Sequence, residues 1–180
     1  AFSDLQRYVK KLKDRGIILA VCSKNDEVLA RQPFEEHPDM VLSLNDISVF
    51  VANWHNKADN IVSIAEALNI GLDSLVFLDD NPAERDLVRT ALPMVAVPDL
   101  SDDPSDYLRC LQQGRYFESV TFSDEDRARA DSYTANAART SLKDQFSDLS
   151  LYLQNLDMTA TVGIVDQQHM PRAAQLINKS

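Results

Sequence analysis

The chain has 180 residues, 44% of them hydrophobic, and a formal net charge of −10. It carries enough apolar sequence for a sizeable core, and its acidic balance argues against a general binder of nucleic acid or of anionic membranes. Two cysteines, Cys22 and Cys110, are too few for a disulfide scaffold and fit a reducing, cytoplasmic setting. The sequence shows no signal-peptide pattern and no apolar run long enough to span a bilayer, and His37, His55 and His169 lack zinc-like spacing.

Residues 3–15 place Leu5, Tyr8, Val9 and Leu12 at helical spacing, with Gly16 as the stop. The run IILAVCS (17–23) is continuous, apolar and rich in branched residues. It predicts a strand buried on both faces, as in a parallel sheet. A polar SKND loop follows at that strand's carboxyl end. A helix is predicted over 26–35, a short strand at MVLS (40–43), and a helix over 57–69 with Ile61, Ile64, Ala65 and Leu68 on one face. LVFL (75–78) reads as a further strand. Asn81 can cap the next helix, with Pro82 in its first turn, and MVAV (94–97) reads as a last strand.

Alternating strands and helices with short connections predict a doubly wound, Rossmann-type α/β sheet. In such sheets the site lies beyond the carboxyl ends of the strands. From about Leu100 the character changes. Helices are expected at 104–113, 123–139 and 141–155, an alternating strand at 157–165, and a helix at 168–178. The expected organisation is an α/β core over 1–100, a helical extension over 101–155, and the start of another unit over 156–180.

The stretch VFLDDNPAERDLV (76–88) raises a physical question. Asp79 and Asp80 stand side by side at the end of an apolar strand, where like charges repel and desolvation is costly. The same sheet edge gathers Ser23 with the backbone amides around Lys24 and Asn25, and the loop of Trp54, His55, Asn56 and Lys57. A phosphoryl group needs hydroxyl and amide donors, a cation and a hard metal. Magnesium takes one or two carboxylates plus phosphate and water. Each feature alone is ordinary: a solvated turn, a surface lysine, a strand-end serine, a small core cysteine. Their common edge is what points to a site.

With VCSKND, NWHNKADNI and VFLDDNPAERDLV all in place, the chain resembles the FkbH-like family of the haloacid-dehalogenase (HAD) superfamily. The similarity extends through LKDRGIILAVCSKND, VAVPDL, QGRYFE and EDRARADSY. The resemblance implies that Ser23 binds phosphate, that Lys57 offsets phosphate and nucleophile charge, and that Asp79 and Asp80 hold magnesium, with Asp80 as the direct ligand. It implies an enzyme that takes glyceryl from 1,3-bisphosphoglycerate, removes phosphate, and loads the three-carbon unit as a thioester on a phosphopantetheinylated acyl carrier protein for polyketide synthase modules. A relay through Cys22 as a glyceryl-enzyme thioester is a sharper version. The last residues resemble the opening of an acetyltransferase-like (GNAT-like) region.

One part of the HAD pattern is missing. The nucleophilic Asp of a DxD motif, at the end of a first strand that lies between the strands at 17–23 and 75–78, does not occur here. The expectation is that this strand precedes residue 1, separated from it by a crossover, a unit of roughly 30 residues. Two alternatives follow: a HAD phosphohydrolase with water as acceptor, and an inactive interaction module of a polyketide synthase. Arg7, Lys10, Lys11, Lys13 and Arg15 on the first helix are a candidate docking face for an acidic carrier protein, or else a solvated helix face.

Overall fold

The computed structural model describes residues 1–118 together with 132, 133, 135, 163, 167, 169 and 170. The chain divides into two compact units, Ala1–Asp144 and Gln145–Ser180. The expected helices over 123–139, 141–155 and 168–178, the strand at 157–165 and the GNAT-like opening lie outside the described residues.

Helix α1 (Phe2–Asp14) ends as its sequence dictates. Gly16 takes a φ of 93°, and the Gly16 and Ile17 N–H groups donate to the Lys13 and Leu12 carbonyls at 2.8 and 3.0 Å. Only glycine holds that backbone geometry without strain. Strand β1 (Ala20–Ser23) follows and pairs in parallel with β2 (Val49–Ala52), with Ser23 opposite Ala52. Between them lie α2 (Glu27–Glu36), capped by the Asp26 carboxylate, and a 3-10 turn at Leu44–Asp46.

The sequence prediction of a strand at MVLS (40–43) is corrected here. The Val41 and Leu42 N–H groups donate to the Gln6 side chain on α1 at 2.8 and 3.1 Å rather than to a neighbouring strand. Ser43 then caps the 3-10 turn. The strand is the next apolar run, which carries Val49, Phe50 and Val51.

Helix α3 (Lys57–Leu68) starts at Asn56, whose side chain accepts the Asp59 N–H at 2.9 Å, and ends at Asn69 with a φ of 53°. Helix α4 (Pro82–Ala91) starts at Asn81 with Pro82 in its first turn. Segments 75–78 and 94–97 pair in parallel through one bridge, Val76 with Ala96. Helix α5 (Tyr107–Gln113) packs near α1, where the Phe2 and Tyr107 rings meet edge to face at 6.2 Å.

The core lies on both sides of α3. Ile61 packs with Phe77, Val88 and Val95, while Ile64 and Leu68 pack against Ile18, Val49 and Val51. Cys22 touches both clusters. Each such side chain, fully buried, contributes about 1.5–3 kcal/mol of transfer free energy.

The strands are less buried than their sequence predicts: β1 has one exposed and three half-buried residues. The reason is a groove of about 740 Å³ lined by Ile18, Ala20 and Cys22 on one side and by Leu75, Val76 and Phe77 on the other. The backbone groups of Val76 and Leu78 make no backbone hydrogen bond to another described residue. Among the described residues no helix is long and apolar enough to cross a membrane.

Asp46 fastens α1 to the 3-10 turn. Its carboxylate, 6% exposed, accepts from Lys10 at 3.1 Å, from Lys13 at 2.7 Å, and from the Ser43 N–H and hydroxyl at 2.8 and 3.0 Å. Burial alone would raise its pKa, but the hydrogen bonds from Lys13, Ser43 and Lys10 outweigh it and hold the carboxyl well below the usual carboxylate range. Lys10 and Lys13 are therefore held by an intramolecular partner. Arg7 pairs with Asp4 at 2.7 Å.

Candidate active site at the carboxyl edge of the strands

The polar loops after β1, β2 and segment 75–78 are joined by two lysine–carboxylate pairs. Lys57, at the first position of α3, binds the Asp79 carboxylate; the two side chains are 12% and 5% exposed. Lys24, just after β1, binds Glu84 at 2.6 Å. Ser23 ends β1, and its carbonyl accepts the Asn53 N–H at 3.1 Å. Asn25 is occupied locally, its side-chain oxygen accepting the Asp26 N–H at 2.8 Å.

Asp79 and Asp80 are not equivalent. The Asp79 carboxylate is taken up by Lys57 and by the Asn81 N–H, which donates at 2.9 Å. Asp80 is exposed, and its carboxylate has no partner among the described residues. Beneath the pair, Arg85 is 8% exposed and donates through Nη1 to the carbonyls of Asp79 and Asp80, each at 2.9 Å. It fixes the backbone that carries both acids.

Glu84 and Arg85 escape a reading of the sequence alone. Glu84 lies four residues after Asp80, in the first turn of α4, and its side chain tilts back towards the helix's amino end. That spacing was the available signal. One Glu84 oxygen is bound by Lys24; the other is buried and has no hydrogen-bond partner. Three carboxylates, Asp79, Asp80 and Glu84, thus stand with Lys24, Lys57 and Arg85, and what is left without a donor is the exposed Asp80 carboxylate and one buried Glu84 oxygen.

Those free oxygens test whether a divalent cation fits. A buried carboxylate oxygen without a donor is costly, and oxygen donors are the set a hard cation takes. Among the described residues no group of three or more His, Cys, Asp or Glu side chains is placed to hold a metal ion. Magnesium needs only one or two carboxylates and completes its shell with phosphate oxygens and water, so Asp80 and the free Glu84 oxygen are the donors it could use.

Cys22 adjoins the same cluster. Its Sγ lies 3.8 Å from the Lys57 carbonyl. Burial pushes the thiol up to about 11, against the opposing pull of the Lys57 charge. The thiol is therefore neutral near pH 7. Trp54 and His55 are exposed in the loop before Lys57, and the Ser23 hydroxyl has no partner among the described residues. The structure brings Lys57, Asp79 and Cys22 together, and separately Lys24 and Glu84.

No family model and no curated protein matches the chain. Among solved structures, the chain is similar to the crystal structure of the N-terminal part of the protein BF1531 from Bacteroides fragilis, which contains a phosphatase domain and is complexed with Mg. The two are 60% identical, with a TM-score of 0.66. The match covers 67% of this chain and 32% of that one, so the chain spans about a third of the solved structure.

Proposed function

We propose that the chain is the magnesium-dependent, phosphatase-type unit of a HAD-like enzyme, and that the group it handles is a phosphorylated three-carbon acyl unit destined for a carrier protein. The observation that carries the phosphatase-type reading is the paired cluster of Lys24, Lys57, Asp79 and Glu84, with Asp80 unpartnered beside it, at the carboxyl edge of the strands. Similarity to a phosphatase domain complexed with Mg supports the same reading.

In this reading Asp80 and the free Glu84 oxygen hold the cation, which when bound supplies positive charge to phosphate oxygens. Lys57 moves between Asp79 and the phosphate, so that its charge is compensated in both states. Ser23 and the amides of Lys24 and Asn25 donate to the remaining oxygens. Arg85 holds the Asp79–Asp80 backbone still. A strand bearing an acidic nucleophile would seat in the groove between β1 and segment 75–78, with its free end at this cluster.

The finer reading is glyceryl loading. The carrier's phosphopantetheine thiol attacks the acyl carbon of 1,3-bisphosphoglycerate and expels one phosphate. Hydrolysis of the remaining phosphate ester by water leaves a glyceryl thioester. The neutral Cys22 thiol favours direct transfer to the carrier over an enzyme-bound relay. Carrier docking on α1 is best tested at Lys11, because reversing Lys10 would also break the Asp46 fastening.

The test is the intact mass of a phosphopantetheinylated carrier protein incubated with magnesium, 1,3-bisphosphoglycerate and this chain in its longer parent polypeptide. A carrier heavier by one glyceryl group is the expected result. Phosphate release with an unchanged carrier would leave a phosphohydrolase with water as acceptor. Neither product would mean an interaction module.

A further inference from the structure

The buried face of α3 is apolar except at one position. Asn60 is 3% exposed and stands among Ala58, Ile61, Ile64, Ala65 and Leu68. Its side chain forms a reciprocal pair with that of Asn53. Asn53 Nδ2 donates to Asn60 Oδ1 at 3.1 Å, and Asn60 Nδ2 donates to Asn53 Oδ1 at 2.8 Å. The Asn53 Oδ1 also accepts the His55 N–H at 3.0 Å, and the Asn53 N–H donates to the Ser23 carbonyl at 3.1 Å. One amide pair therefore links the end of β1, the loop 53–56 and the first turn of α3.

Two amides placed against an apolar helix face must be desolvated, and well-packed apolar side chains avoid that cost. What a satisfied polar pair adds is a single geometry. The chain between the two asparagines contains Lys57, whose ammonium is nearly buried on Asp79. An unfixed loop would let that first turn of α3 shift relative to both Ser23 and Asp79.

We propose that the Asn53–Asn60 amide pair is a positioning device that sets Lys57 against Asp79 and against the end of β1 at Ser23, fixing the spacing at which phosphate is held. The proposal rests on the phosphate-binding reading above. Both asparagines act through Lys57.

Calorimetric titration of inorganic phosphate, in the presence of magnesium, into the whole chain tests it, with melting recorded for every variant. Asn60→Ala should weaken phosphate about tenfold, since small misplacements of a binding group have effects of that order or larger. In a Lys57→Arg background, where the cation keeps its charge but has already lost its placement, the same change should cost less than about twofold. An equal loss in both backgrounds would mean a purely structural pair and would overturn the proposal.

Asn53→Ala, which leaves the helix face intact, should behave like Asn60→Ala and covers the case in which the latter fails to fold. Trp54 is the chain's one tryptophan and adjoins Asn53, so its emission without ligand should shift in both variants. Phosphate binding by the unaltered chain, with Asn53→Ala or Asn60→Ala equal to it, would refute the positioning role and leave the site reading standing. No phosphate binding by the unaltered chain would refute both.

Discussion

Asp46 and Asp79 are both buried aspartates paired with lysine, yet they do different things. Asp46 has two lysines, a backbone N–H and a hydroxyl on one carboxylate. Asp79 has one lysine and one N–H, and stands beside the unpartnered Asp80 and a Glu84 oxygen with no donor. The first carboxylate has both oxygens met by donors within the fold. The second has carboxylate oxygens left without donors. A buried carboxylate is thus structural or chemical according to the balance of the groups around it, and burial alone does not decide which.

The largest expected effect breaks the second cluster. Lys57→Ala in the active parent polypeptide should lower phosphate release by about a thousandfold, the scale of losing one preorganised charge at a developing anion, and should lower melting too, because the Asp79 carboxylate is left buried without its cation. Steady-state phosphate assays check it. Activity within a few fold of the unaltered enzyme would remove Lys57 from the chemistry.

Asp46→Asn should act on stability alone. It leaves Lys10 and Lys13 without their carboxylate and should cost about 2 kcal/mol of stability, less than a fully buried pair because both lysines are partly exposed. Phosphate and magnesium binding should be unchanged. Chemical denaturation beside calorimetry separates the two effects.

Acid sharpens the same contrast. The folded-state pKa of Asp46 lies below its ordinary value of 3.8. Its contribution to stability is therefore fully present above that value and is lost progressively as the pH falls below it. The unfolding free energy of the unaltered chain should fall below about pH 4, and Asp46→Asn should show a shallower fall.

The smallest effect belongs to Cys22. Cys22→Ala should cost about 1 kcal/mol of packing and leave carrier loading intact, as mass spectrometry would read. Alkylation of Cys22 by iodoacetamide should be slow near neutral pH and accelerate as the pH approaches about 11. Loss of loading in Cys22→Ala would restore the covalent relay.

Local chemistry was legible in the sequence. Gly16 stopped α1, Asn81 capped α4, and the apolar stripe of Ile61, Ile64, Ala65 and Leu68 became the buried face of α3. Non-local partner choice was not legible. MVLS carries a strand-like composition, but Gln6, a residue 35 positions away from Val41, supplies its hydrogen-bond partner, so the strand formed at Val49–Ala52 instead. In the same way nothing in SKND announces that Lys24 reaches Glu84, or that Asn60 needs an amide opposite it. The residues of the site could be named from their loops; the pairing that gives each its role depends on how those loops meet.

The most direct test of the account is a calorimetric magnesium titration of the unaltered chain, Asp80→Asn and Asp46→Asn. The account predicts one-to-one binding in the unaltered chain and in Asp46→Asn, and affinity at least about tenfold weaker in Asp80→Asn. Equal binding in all three, or a loss confined to Asp46→Asn, would contradict the assignment of the free carboxylate oxygens to a metal site.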